Sequence, residues 1–125
     1  MSGERHVRLV TERYMIMFKL REESYGGSAE EAAFLLSDQI LPSLHMLKQM
    51  EEEHKVMGGF MDGQRAATFI FDVENFEELD GILAKLPMAN VYDVDIAYLQ
   101  STESALSRDR KIVSELRMDV GLPPR

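Results

Sequence analysis

The fold is decided by the stretch Gly63-Gln64-Arg65-Ala66-Ala67-Thr68-Phe69-Ile70-Phe71-Asp72-Val73, which continues through Leu86-Pro87 to Leu99. Aromatic and β-branched residues dominate positions 66–73 and predict a strand. Asn75 is a preferred helix N-cap, and Pro87 ends the helix that follows. Positions 91–99 alternate and predict a final strand. The helix stripe comprises Phe76, Leu79, Ile82, Leu83 and Leu86, and one face of the last strand carries Tyr92, Val94, Ile96 and Tyr98.

The first half of the chain predicts strand, helix, strand. The first strand runs over 13–21, with Tyr14, Ile16, Phe18 and Leu20 on one face and Arg13, Met15, Met17, Lys19 and Arg21 on the other. Ser28 and Glu31 form a capping-box pattern that opens a helix, and Pro42 is expected to kink or divide it. The helix stripe comprises Ala33, Leu36, Ile40, Leu44 and Leu47. Positions 56–61 predict a short strand, in which Gly58-Gly59 indicates a bulge or close backbone approach. Asp62-Gly63 is a hairpin signal.

The predicted element order is therefore β-α-β-β-α-β, an α+β ferredoxin-like fold with an antiparallel sheet. An extra C-terminal helix is predicted over 101–117, and its stripe of Ala105, Ile112, Val113 and Leu116 is expected to pack on its own domain or on a dimer partner. The expected organisation is a flexible leader at 1–12, the α+β domain at 13–100, and the terminal helix and tail at 101–125.

Residues 63–99 closely resemble the C-terminal half of muconolactone isomerases. The shared features are Gly63 and Ala66, the run Ile70-Phe71-Asp72-Val73-Glu74, Glu78-Leu79, Leu83, and Leu86-Pro87. The resemblance implies a dimeric α+β barrel, in which the sheets of two copies face each other. It also implies cofactor-independent proton transfer, an isomerisation, on a small carboxylated or lactone compound. The second strand departs from the family, because Val56–Met61 carries no charge where the family has a basic, aromatic segment.

Composition limits the partners to be expected. The 125 residues fit one domain, and 22 acidic against 14 basic residues give a net charge of −8, which argues against nucleic-acid binding. No apolar run approaches the ~20 residues of a membrane span, and the polar start is unlike a signal peptide, so a cytoplasmic protein without a membrane partner is expected. Zero cysteines and three dispersed histidines predict no metal or other cofactor. The expected partners are a small-molecule ligand and a second copy, as a homodimer or higher oligomer.

Three residues are candidate proton-transfer groups. Asp93 and Asp95 lie on the mixed face of the last strand, where desolvation would raise the pKa of a general base. Alternatively, they form ion pairs with Lys19, Arg13 or Arg21 on the first strand. His54, at a predicted helix–strand junction, is a candidate proton shuttle because of its imidazole, or else part of a solvated helix end.

Three further residues are candidate substrate-binding groups. Arg65 or Lys19 would hold a substrate carboxylate, and Tyr92 would line the pocket. The alternatives are a surface charge beside the hairpin for Arg65 and core packing for Tyr92. Two other functions stay open from the sequence. One is a cofactor-free monooxygenase of the same barrel superfamily, and the other is a non-catalytic small-ligand-binding or assembly protein.

Overall fold

A computed structural model describes residues 11–25 and 27–123. The strands are β1 (Glu12–Leu20), β2 (Val56–Phe60), β3 (Ala66–Val73) and β4 (Tyr92–Leu99), and the α-helices are α1 (Ala29–Leu35), α2 (Leu41–Glu52), α3 (Phe76–Lys85) and α4 (Thr102–Asp119). Short 3₁₀ turns occupy Glu22–Ser24 and Pro87–Asn90. Residues 1–10 of the predicted leader lie outside the described residues, and its last residue, Glu12, already belongs to β1.

The four strands form one antiparallel sheet in the order β2-β3-β1-β4. The predicted α+β class is therefore confirmed, and the strand order is consistent with a ferredoxin-like fold. The register places Arg13 of β1 opposite Asp72 of β3 and Leu99 of β4. At the other end of β1, Lys19 lies opposite Ala66 and Asp93.

The core lies between one sheet face and the helices. The predicted inward-facing residues of β1 are all buried, as are alternate residues of β3, and α2 packs on β2 while α3 packs on β3. On this face, the buried residues of the two central strands are Tyr14, Ile16, Phe18, Leu20, Ala67, Phe69, Phe71 and Val73. Ile96 differs from the prediction, since it lies on the helix side of the sheet yet remains 43% exposed. The reason is that β4 is an edge strand and the helix layer is centred over its neighbours.

Pro42 shapes the helix that precedes β2. A π-helical segment, Leu36–Ile40, joins α1 to α2, and Pro42 lies in the first turn of α2, where its missing N–H is not needed. The Leu41 amide donates to the Leu36 carbonyl, five residues earlier. This extra residue per turn shifts the phase of the stripe, so that Ile40 and Leu47 are buried while the predicted stripe member Ala33 is exposed.

The hairpin between β2 and β3 depends on close backbone approach at Gly58. Gly58 has φ 143°, and a Cβ there would lie 2.7 Å from the Phe69 Cα and would also collide with the Thr68 carbonyl oxygen. The close approach predicted for Gly58-Gly59 is therefore found at Gly58, whereas a Cβ at Gly59 would meet nothing within 4 Å. Gly63 has φ 76° in the connecting loop, which is the left-handed conformation that glycine adopts most easily.

Helix α4 stands apart from the domain. The Ser101 side chain caps it by accepting from the Ser104 amide at 3.0 Å, but none of its residues is buried. The structure therefore does not realise the predicted packing of this helix on its own domain. Among the helices of the described residues, none combines the length and the apolar character required to cross a membrane.

Candidate functional site

A cavity of about 1130 Å³ opens at the end of the sheet where β1 and β2 begin and β3 and β4 end. Polar and charged residues line most of it, among them Glu12, Arg13, Glu51, His54, Lys55 and Asp72, together with the apolar side chains of Met57 and Ile70. The first turn of α4 forms part of its wall through Ser101, Thr102 and Ser104. The cavity thus joins a small apolar floor to walls that are mostly polar and charged.

Asp72 and Arg13 face each other across neighbouring strands. They are directly opposed in the β1–β3 register, and the Arg13 Nε lies 3.7 Å from the Asp72 Oδ2. The Asp72 side chain is about one-third exposed at 34%, whereas that of Arg13 is 67% exposed. The other carboxylate oxygen, Oδ1, is buried and has no hydrogen-bond partner among the residues that the structure describes. Buried polar atoms are normally paired, so an unpaired carboxylate oxygen beside the cavity marks Asp72 as a candidate functional residue.

His54 is held by the way α2 ends. Its amide donates to the Glu51 carbonyl at 3.0 Å, and the Lys55 amide donates to the Met50 carbonyl at 2.9 Å. This bond pair is a Schellman motif, and His54 occupies the left-handed position usually taken by glycine, with φ 62°. The Lys55 carbonyl then accepts from the Asp72 amide at 2.9 Å, which ties this helix end to β3. The backbone therefore fixes His54 and Asp72 on the same cavity wall.

An aromatic cluster borders the same end of the sheet. The Tyr14 ring lies 5.8 Å from that of Phe76 and 5.2 Å from that of Tyr98, between ring centroids. The Tyr14 hydroxyl donates to the Glu12 carboxylate at 2.7 Å, and this hydrogen bond, assisted by desolvation, raises the pKa of Tyr14 to about 12. Tyr14 therefore stays a neutral hydrogen-bond donor over the physiological range.

Asp93 lies at the opposite end of the sheet in a short ion pair with Arg21. The Arg21 Nε donates to Asp93 Oδ1 at 3.1 Å, and the same guanidinium donates to the carbonyls of Asn90 at 3.0 Å and Tyr92 at 3.2 Å. The Asp93 side chain is 69% exposed. This arrangement matches the ion-pair alternative from the sequence, with Arg21 as the partner.

Lys19, which lies opposite Asp93 in the β1–β4 register, and Arg65 are at the same end of the sheet. They line a second, shallower depression of about 550 Å³ together with Tyr25 and Gln64. Of the other predicted residues, Asp95 is exposed on the open sheet face opposite Met17, and Tyr92 is buried in the core. The Tyr92 ring packs edge-on against that of Phe18 at 6.2 Å, and burial raises its pKa.

The structure thus divides the predicted site residues between the two ends of the sheet. His54 lies at the cavity end, while Lys19, Arg65 and Asp93 lie at the other. Positions 13 and 19 on β1 mark the two ends, and at the rise of a strand they are about 20 Å apart. Sequence reasoning did not select Arg13 and Asp72 as site residues. The sequence does contain a basic residue at the start of β1 and an acidic residue at the end of β3. That these two residues face each other becomes evident only from the β1–β3 register.

The described residues contain no group of three or more histidine and acidic side chains arranged to hold a metal ion. No protein-family model and no curated protein matches the sequence.

Proposed function

We propose that this protein transfers a proton within a small carboxylated or lactone compound, without a cofactor, in the cavity formed by Arg13, His54 and Asp72. The observation that carries the proposal is the Asp72 carboxylate, which is one-third exposed in the wall of the cavity and whose buried oxygen, Oδ1, has no partner among the described residues. The muconolactone-isomerase resemblance over 63–99 supports the reaction class.

In the proposed mechanism, Arg13 holds the substrate carboxylate. Its side chain is largely exposed and sits 3.7 Å from Asp72, which leaves guanidinium N–H groups for a ligand. The Asp72 carboxylate, whose side chain is partly exposed, removes a proton from the carbon next to a carbonyl, and the electron pair of the broken C–H bond becomes delocalised as an enolate. The proton returns at a second carbon as the electron pair shifts, so nothing is oxidised or reduced. His54 is placed to relay this proton, because imidazole changes charge near neutral pH.

The dimer is part of the same proposal. On the open sheet face, Met17 is 38% exposed and Met57 is 65% exposed, and Ile70 and Leu99 are half-buried beside them. A second copy whose sheet faces this surface would cover the apolar floor of the cavity and exclude water from it.

The test is deuterium incorporation into muconolactone in D₂O, followed by NMR. The unmodified protein is expected to exchange the proton next to the carbonyl. Asp72→Asn keeps the shape of the side chain but removes the base, and it is expected to slow exchange at least ~10²-fold. Asp93→Asn is the matched control, because that carboxylate is exposed and paired with Arg21. Unchanged exchange in Asp72→Asn, or loss of exchange in Asp93→Asn alone, would contradict the assignment.

A non-catalytic ligand-binding protein is the second candidate. The exposure of Asp93 and Asp95 favours it, because neither carboxylate lies in an enclosed site within one chain. That function predicts saturable binding of the lactone with no deuterium incorporation by the unmodified protein.

A further inference from the structure

Helix α4 presents an apolar surface that its own domain does not cover. Its C-terminal half carries an exposed stripe in which Ile112 is 44% exposed, Val113 49%, Leu116 58% and Val120 71%. These residues fall on one side of the helix. One turn earlier Asp109 interrupts the stripe, and the Arg108 Nε engages its carboxylate at 3.1 Å. We name Ile112, Val113, Leu116 and Val120 the α4 stripe.

A helix that packs on nothing lacks the main source of helix stability in a folded protein. Helices of globular proteins draw most of their stability from packing one face, since propensity and local ion pairs contribute little. None of the 18 residues of α4 is buried. The helix therefore needs a surface to pack on that its own domain does not supply in this arrangement.

A second uncovered surface lies beside the edge strand. On the helix side of the sheet, Ile96 is 43% exposed and Tyr98 58%, and Phe76, at the start of α3, is 46% exposed. The Tyr14 ring links the two aromatic residues of this surface. We name Phe76, Ile96 and Tyr98 the edge groove. It is the part of the core face that α3 and α2 leave open.

Charge complementarity connects the two surfaces. At helical spacing, Arg110 and Arg117 flank the α4 stripe on one side. Exposed Glu77 and Asp80 lie on α3, the helix that contributes Phe76 to the edge groove. The other side of the stripe is acidic, with Glu115 and Asp119, so the favoured docking orientation sets the basic side of the stripe against α3.

We propose that α4 packs its stripe into the edge groove of a second copy of this chain, and that the two copies exchange their helices reciprocally. This exchange goes beyond the proposed reaction, but it has a consequence for the cavity. Because the first turn of α4 forms one wall through Ser101, Thr102 and Ser104, anchoring the helix on a partner holds that wall in place.

The absence of cysteine from the chain permits a direct test by disulfide trapping. Ile96→Cys and Val113→Cys are made as separate proteins, mixed, allowed to exchange and mildly oxidised, so that a disulfide between them joins two different chains. The expected result is a mixed dimer joined through positions 96 and 113. Ser107→Cys, on the polar side of α4, replaces Val113→Cys in the control mixture and is expected to give no such product. A mixture that yields no product joining positions 96 and 113, or as much with the control, overturns the proposal.

Oligomeric state supplies the second readout. Leu116→Asp places a charge in the centre of the stripe and is expected to weaken the α4-mediated association at least about tenfold. Trapping between positions 96 and 113 should fall in parallel, while circular dichroism of the α+β domain remains unchanged, because Leu116 is 58% exposed within its own chain. Ser107→Asp is the matched control. Undiminished trapping in Leu116→Asp, or light scattering that finds the unmodified chain monomeric at micromolar concentration, overturns the proposal.

Discussion

The two ends of the sheet carry similar charges but differ in how those charges are used. At one end, the Arg21–Asp93 pair is short at 3.1 Å, and the guanidinium also bonds two backbone carbonyls. At the other, the Arg13–Asp72 pair is long at 3.7 Å, and one carboxylate oxygen is buried without a partner in the described part of the chain. The first arrangement fastens the turn before β4 to β1. The second retains hydrogen-bonding capacity for a ligand.

An ion pair indicates a functional site only when one of its polar atoms is left without a hydrogen-bond partner. Asp93 is exposed and paired, so removing it changes little around it. Asp72 is two-thirds buried, and leaving its Oδ1 unpaired lowers the stability of the fold. The residue is therefore better explained by function than by stability. The burial of an unpaired acceptor, rather than the number of charges, distinguishes the cavity end.

The largest effect is expected when the cavity end is broken at Gly58, which lines the cavity. Gly58→Ala would force β2 away from β3, because its Cβ meets backbone atoms of Thr68 and Phe69 and its φ of 143° is strained for an alanine. The expected loss is about 3 kcal/mol of unfolding free energy. Gly59→Ala is the control, since a Cβ there meets nothing within 4 Å. Chemical denaturation measures both, and equal losses at the two positions would contradict the account.

Replacing Arg13 or Arg21 is expected to have intermediate effects that distinguish the two ends of the sheet. Arg21→Gln removes three donated hydrogen bonds and should cost about 1 kcal/mol of stability while leaving the KM for the lactone unchanged. Arg13→Gln should do the reverse, raising KM about tenfold at nearly constant stability, because a largely exposed ion pair contributes little to folding. Urea unfolding and steady-state kinetics separate the two. If Arg21→Gln raised KM and Arg13→Gln did not, the ends would have been assigned the wrong way round.

The smallest effect concerns Tyr14 at the cavity end. Its neutral hydroxyl is stabilised by Glu12, so the stabilisation is fully present below the unfolded pKa of 10 and is lost as the pH rises toward 12. Glu12→Gln removes the acceptor charge and should lower the pKa of Tyr14 toward 10, which flattens stability against pH between those values. Absorbance titration of tyrosine and urea unfolding across this range test it. A Tyr14 pKa that stays near 12 in Glu12→Gln would show that burial, not Glu12, is the main cause.

The sequence predicted the scaffold better than the site, for a physical reason. Strands and helices follow from local patterns, such as the alternation from Tyr14 to Leu20 and the caps at Ser28 and Asn75, whose side chains accept from Glu31 and Glu78. Pairing across the sheet is not local. Asp93 stood out because it lies in an alternating acidic strand, but the opposition of Arg13 and Asp72 depends on a register between residues far apart in the chain.

The exposure of residues on the edge strand β4 also could not be predicted from local sequence patterns. Ile96 has the pattern of a buried strand residue, and its exposure follows only from β4 being at the edge of the sheet, where α2 and α3 do not reach. The π-helical segment before Pro42 similarly moved Ala33 out of the stripe that its spacing predicted. Both differences arise where tertiary arrangement overrides a correct local pattern.

The most direct test of which end binds the ligand is amide chemical-shift mapping with muconolactone on the ¹⁵N-labelled protein. The account predicts that the shifts cluster at Arg13, His54, Asp72 and Ser101, and that they saturate with a single affinity. The amides of Lys19, Arg65 and Asp93 should remain unchanged. Shifts confined to that second group would place the ligand in the shallower depression and contradict its proposed binding in the larger cavity.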